Sequence, residues 1–317
     1  MRKPILCALS ALLVVTATAA VRAENVLEIN RTFLEKYKNL LTINVPYIVD
    51  AAHKNPNPPA KDGDMHIAGR SPAIGLATVA EIQNAKDASA AILRVKSVEG
   101  TPNQIRITGV WRIWPEHGGD NDHIQVSGAG PRYTKTGPTN PPHVFEIHPI
   151  LQIEDQDLRA TLRPIIGFKP KEANDAFARY EHASFEITKK GKRVVMHMRM
   201  VGFNYVEFLM RLNKRFERVD DGEFVSASIY SADNDEELLV HDRRVGFVAG
   251  TAADAKQRTM KVGECIRLLG LPRVDLALVA WRLENAKKRP EALKWSMPYE
   301  MIAIGVYDDQ PKPCGDE

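Results

Sequence analysis

Two short motifs carry most of the side chains in this sequence that could do chemistry: Asp62-Gly63-Asp64-Met65-His66 and Glu146-Ile147-His148-Pro149. In both, carboxylates and imidazoles recur at every second position, and side chains two apart share one face of a strand. Asp62, Asp64, His66, Glu146 and His148 are therefore candidate ligands for a divalent ion, because zinc or manganese accepts mixed oxygen and imidazole donors. The competing reading makes His66 and His148 donors to Asp64, Glu146 and backbone carbonyls, which would fix strand register. Binding of a polar ligand is the third use. Spacing alone does not decide whether the two motifs meet.

Other candidates lie near the second motif. In the strand-like run from Gln104 to Trp114, Arg106 and Arg112 oppose Ile105, Ile107, Trp111 and Ile113, so either arginine could reach Glu146 across a hairpin. A long Gly-, Pro- and Asn-rich loop from Pro115 to Pro142 follows and is expected to shape the main pocket of this half. Arg106, Arg112, Trp114, His117, His123 and Arg132 are the ligand-binding candidates. Within the loop, Gly128 to Thr136 departs from a phosphate-binding loop, since Thr134 stands where the glycine before the lysine belongs. Met196, Met198 and Met200 share one strand face, which fits a flexible core or a thioether set for cuprous ion. No local pattern assembles Ser-His-Asp or Cys-His, so no catalytic residue is assigned.

The elements that would hold these residues follow from periodicity. Val26 to Leu41 has helical spacing and Leu41 to Val49 reads as a strand. Strands are expected over Asp64 to Gly69 and Thr78 to Gln83, a helix capped by Asp87 over Asp87 to Val95, and strands over Gln104 to Trp114 and His143 to Ile153. Three strands, a helix and two strands is the order of an OB barrel, whose loops commonly hold ligands. A weak stretch with Arg163-Pro164 and Lys169-Pro170, covering 161–183, reads as a linker. Beyond it, strands are expected at Phe185 to Thr188, Arg193 to Val201, Phe224 to Tyr230, Leu238 to Val248, Asp275 to Leu283 and Tyr299 to Val306. Helical spacing runs from Ala252 to Leu269. Arg211, Lys214 and Arg215 read as an exposed helix face. Val110-Trp111-Arg112-Ile113 is loosely mirrored by Ala280-Trp281-Arg282-Leu283, a slender sign of a second barrel.

The fold class is thus mainly β with minor α: an N-terminal OB-like five-stranded barrel over 24–160 and a second β-rich domain, OB-like in outline, over 184–317. Residues 1–23 have a charged start at Arg2 and Lys3, an apolar run from Ile5 to Val15 and a small-residue site ending at Ala23, the pattern of a secretory signal. The formal charge of +3 resides in Arg2, Lys3 and Arg22, so the chain from Glu24 is neutral and has no general attraction for nucleic acid or anionic membrane. A periplasmic or secreted location follows, with no membrane span. In such a compartment Cys265 and Cys314 are expected to pair.

The runs Asp62 to Ala68, Val79 to Ile82, Thr108 to Trp111 and Phe145 to Ile150 resemble a group of uncharacterised bacterial exported proteins with an OB-like barrel. The resemblance spans roughly residues 40 to 153 and implies a fold, with no activity to carry over. The expected function is a non-catalytic binding or structural module for an oligosaccharide, a peptide or a periplasmic protein, with no cofactor. The alternative is a metal-dependent hydrolase built on the strands bearing Asp62, Asp64, His66, Glu146 and His148.

Overall fold

The structure, a computed structural model, describes residues 24–119, 121–233, 237–307 and 312–313. The signal-like residues 1–23 and Cys314 lie outside that set. In chain order the elements are β1 (Glu24–Asn30), α1 (Arg31–Tyr37), β2 (Thr42–Ala52), β3 (Met65–Arg70), β4 (Thr78–Ile82), α2 (Ser89–Val98), β5 (Gln104–Ile113), β6 (Asp122–Ile124) and β7 (Phe145–Ile153). After them come β8 (Gln156–Asp157), β9 (Lys171–Glu172), α3 (Ala173–His182), β10 (Ser184–Lys190), β11 (Arg193–Arg199), β12 (Val206–Val219), β13 (Gly222–Tyr230) and β14 (Leu238–Val248). The chain continues through α4 (Ala252–Thr259), β15 (Glu264–Val274), α5 (Leu276–Asn285), β16 (Lys294–Ser296), β17 (Tyr299–Val306) and β18 (Lys312–Pro313). Among the described residues no helix is long and apolar enough to cross a membrane.

Two five-stranded barrels close on themselves. In the first, the order is β4-β3-β2-β5-β7 and β7 returns to β4 in parallel. In the second, the order is β15-β17-β14-β13-β12 with β12 closing on β15, and the parallel pair is β14 with β17. Each barrel carries its helix, α2 or α4, between its third and fourth strands in sequence. Both therefore have OB topology, and closure removes the exposed edges that an open sheet would present. Alternation builds them: Ile67, Ala80, Ile107, Trp111 and Ile147 point into the first core, while their polar neighbours take the other face.

A third sheet, β16-β10-β11-β1-β6, takes strands from both sides of the 161–183 segment. Its parallel β1–β6 pairing gives the Pro115 to Pro142 loop a short strand of its own. Gln125 extends that attachment by accepting from the Asn30 amide at 2.8 Å and donating to the Ile74 carbonyl at 2.7 Å.

Several local expectations are corrected. Residues 24–30 form a strand because their contacts alternate against β11, so the N-terminal helix is only α1. Residues 276–285 form a helix. Asp275 caps it by accepting from the Leu278 amide, and buried Leu276, Val279, Ala280 and Leu283 follow helical spacing. Helix α4 stops at Thr259, and Gly263, with φ of +91°, makes the turn into β15. Arg211, Lys214 and Arg215 lie on β12, where register shifts at Leu212/Lys214 and Arg215/Arg218 break the period-two pattern. Asp87 is not a cap: the residue before α2 is Ala88. Trp281 sits on α5, 45% exposed, whereas Trp111 is buried on β5, so the sequence echo does not mark the structural repeat.

The barrels meet through their fourth strands. Arg273 on β15 donates to the carbonyls of Leu41 and Trp111 at 3.0 Å each, lies 3.6 Å over the Trp111 ring and pairs with Glu300 at 2.7 Å. In the reverse direction, Arg112 on β5 donates through Nε to the Pro272 carbonyl at 2.8 Å.

Candidate functional site

The polar face of β3, β4 and β7 is covered by the second barrel, and a buried network forms in the seam. Gly63, with φ of +69°, turns the chain so that Asp64 enters β3 facing inward to that seam. Alternation then aligns Asp64 and His66 with Glu81 on β4 and with Glu146 and His148 on β7. Tyr205, the residue before β12, reaches in from the side of the other barrel. Its hydroxyl donates to Asp64 Oδ2 and accepts from His148 Nε2 at 2.8 Å.

His148 is the hub. Its Nδ1 lies 3.4 Å from both Glu81 Oε2 and Glu146 Oε2, and its Nε2 lies 3.5 Å from Asp64 Oδ2. Glu146 also pairs with Arg112 Nη1 at 2.5 Å and with His143 Nε2 at 3.2 Å. Glu81 faces His66 Nε2 at 3.5 Å, and the His53 and His66 rings lie 4.6 Å apart. Asp64, Glu81, Glu146 and His148 are at most 3% exposed.

Burial in the seam penalises every charge, and the outcome for each group depends on its neighbours. For His148 burial acts downward, but the surrounding carboxylates, Glu81 foremost, raise it to about 10. His66 likewise rises to about 9 against its burial, driven by Glu81. Burial would raise Glu81, yet His148 and His66 pull it down to about 2. Glu146 is held well below the carboxylate range by Arg112 and the histidines despite burial. Asp64, for which burial wins, is pushed up to about 6. Asp64, Glu81 and Glu146 face the cations Arg112, His148 and His66, and Glu116 adds a further carboxylate to Arg112 at 3.3 Å.

The ligand chemistry for a metal ion is present: donor atoms of Asp64, Glu81 and His148, and of Glu81, His143 and Glu146, each fall within 4.8 Å of one another. In the metal-free arrangement both ring nitrogens of His148 face oxygens, Nδ1 those of Glu81 and Glu146 and Nε2 those of Tyr205 and Asp64.

The sequence candidates divide as follows. Asp64, Glu146 and His148 converge, joined by Arg112, whose hairpin meeting with Glu146 is found in register. His66 meets the network through Glu81. Asp62 stands apart, with Oδ1 accepting from Asn57 and from the Asp64 amide. Arg106 is exposed and bonded to Asn44 at 2.7 Å. Trp114 is fully buried against Tyr180. His117 stacks on His143, His123 bonds the Gly118 carbonyl at 3.0 Å, and Arg132 lies exposed on the long loop. Met196 and Met198 are core side chains. Glu81, His143 and Tyr205 were missed as site residues. Glu81 had a signal, its place opposite His66 in a strand pair, whereas Tyr205 depends on how the barrels pack.

Surface clefts of about 340–410 Å³ are lined by other residues, one of them by Gln125 to Gly128 of the long loop together with α1. No protein-family model matches the chain, and no curated protein matches it.

Proposed function

We propose that this chain is an exported, non-catalytic binding module in which the buried network locks two OB barrels together and ligand is taken at the surface. The observation that carries this reading is the sealing of the network: its acids and His148 are buried under Tyr205 and the second barrel, and the clefts named above are lined by other residues. Oligosaccharide, peptide or a protein partner are the ligand classes that such barrels take, an argument by analogy of fold.

The second reading, a metal-dependent hydrolase, is favoured by the convergence of Asp64, Glu81 and His148. Its ligand set would replace Asp62 and His66 with Glu81. Elemental analysis of the mature protein separates the two. The module reading expects no stoichiometric zinc or manganese and a melting temperature indifferent to added zinc. One ion per chain, with a zinc-dependent rise in melting temperature that His148→Gln abolishes, would overturn it in favour of the hydrolase.

A further inference from the structure

The cleft that ends α3 is lined by cations and by no carboxylate. It encloses about 410 Å³ between the last turn of α3 and the segment leaving β11, within the range of small-ligand sites. Arg179, His182 and Arg199 line it, and Ser184 adds a hydroxyl. Val201 and Ala183 are buried in its wall and Met200 stands at its rim, 39% exposed.

We propose that this cleft binds a small carboxylate on an apolar stem, either the C-terminal residue of a peptide or a free short-chain acid. Among the described residues no ion pair engages Arg179, His182 or Arg199. Arg179 lies 4.7 Å over the Phe203 ring, a contact that orients the guanidinium without neutralising it. His182 uses Nδ1 on the Ala178 carbonyl at 2.7 Å, which leaves Nε2 for another partner. Arg179 and His182 occupy the last turn of a helix, where cations answer the helix dipole. Arg199 has no such duty. Its register partner Glu24 turns to His197 at 3.8 Å, the only ion pair of Glu24 among the described residues.

An arginine fork matches the two oxygens of a carboxylate, while buried valine and alanine beside it suit an aliphatic stem.

The inference rests on the reading of the chain as a binding module. Calorimetric titration of the mature protein with N-acetyl-Ala-Leu, its C-terminal amide, hexanoate and inorganic phosphate tests it. The acid is expected to bind, with the amide weaker by about tenfold or more, the scale of a charged hydrogen bond. Arg199→Gln is expected to lose a similar factor while keeping the wild-type melting temperature. Tighter binding by N-acetyl-Ala-Leu than by hexanoate assigns the site to peptide ends, and the reverse assigns it to free acids. Equal binding of acid and amide, phosphate binding as tightly as the acid, or no binding by any probe at millimolar concentration would overturn the proposal. Because elemental analysis is read separately, a silent titration on metal-free protein removes this site and leaves the module reading standing.

Discussion

Replacing His148 with glutamine tests the network at its hub. The substitution keeps a polar side chain of similar reach but removes the cation that faces Asp64, Glu81 and Glu146. Removing one partner from a buried ionic cluster costs about 3–5 kcal/mol, because the remaining charges stay buried without compensation. The pH dependence gives an independent magnitude. The folded-state pKa of His148 is raised from 6.5 to about 10, so its stabilisation is complete below pH 6.5 and is lost as pH rises toward 10. At about 1.4 kcal/mol per unit, that loss is on the order of 5 kcal/mol, in line with the mutational figure. Urea titrations across that window should therefore find wild type weakening steeply with pH and His148→Gln starting lower and weakening less. His66, raised to about 9, adds its own decline to both proteins, so the comparison rests on the difference in slope. Parallel slopes, or a variant within about 1 kcal/mol of wild type at neutral pH, would refute the argument, since either means that His148 is not a buried cation.

On the acid side, Glu81 is depressed from 4.5 to about 2, so its stabilisation is present above pH 4.5 and disappears as pH falls toward 2; Glu81→Gln should flatten that limb in acid titrations followed by circular dichroism. Tyr205→Phe removes the hydroxyl shared by Asp64 and His148 and should cost about 1–3 kcal/mol by denaturant melts, with the far-ultraviolet spectrum unchanged. Arg273→Met removes one of the two arginines on Glu300, leaving Arg244 at 3.1 Å, and takes the donor from the Leu41 and Trp111 carbonyls; a loss of about 1–3 kcal/mol is expected, with wild type melting in one calorimetric transition because the barrels share this seam. The bridge from Cys265 to Cys314 remains an expectation: Cys265 is buried on β15 opposite Lys312, Cys314 lies outside the described residues, and a closed loop of roughly fifty residues would contribute about 4 kcal/mol. A non-reduced digest containing both free thiols would remove it.

Much of the first barrel was legible because its signals are local. Strands β2, β3, β5 and β7 alternate apolar and polar residues over most of their lengths, with breaks confined to Val49/Ala51 and the stretch around Gly109, and the helix between the third and fourth strands has its own period. The second half was harder for reasons visible in single elements. β12 is bulged, so its basic residues lose strand periodicity. β1 and α1 run together without a turn residue between Asn30 and Arg31, and a continuous helix was the simpler reading. In α5 the run Leu276 to Val279 is apolar enough for a strand, and only the cap at Asp275 and burial of one stripe decide for helix.

By itself, the sequence determined which residues share a strand face: Asp64 with His66, Glu146 with His148, and Arg112 opposite the core of β5. Period two needs no partner to be read. It did not determine whether that face would meet water, a ligand or protein. Only the tertiary structure decided this, by laying Tyr205 and Pro272 of the second barrel over it. Burial then turned five titratable groups into an ion network with strongly shifted protonation, since desolvation and Coulomb terms depend on distances across the seam that sequence separation leaves unspecified.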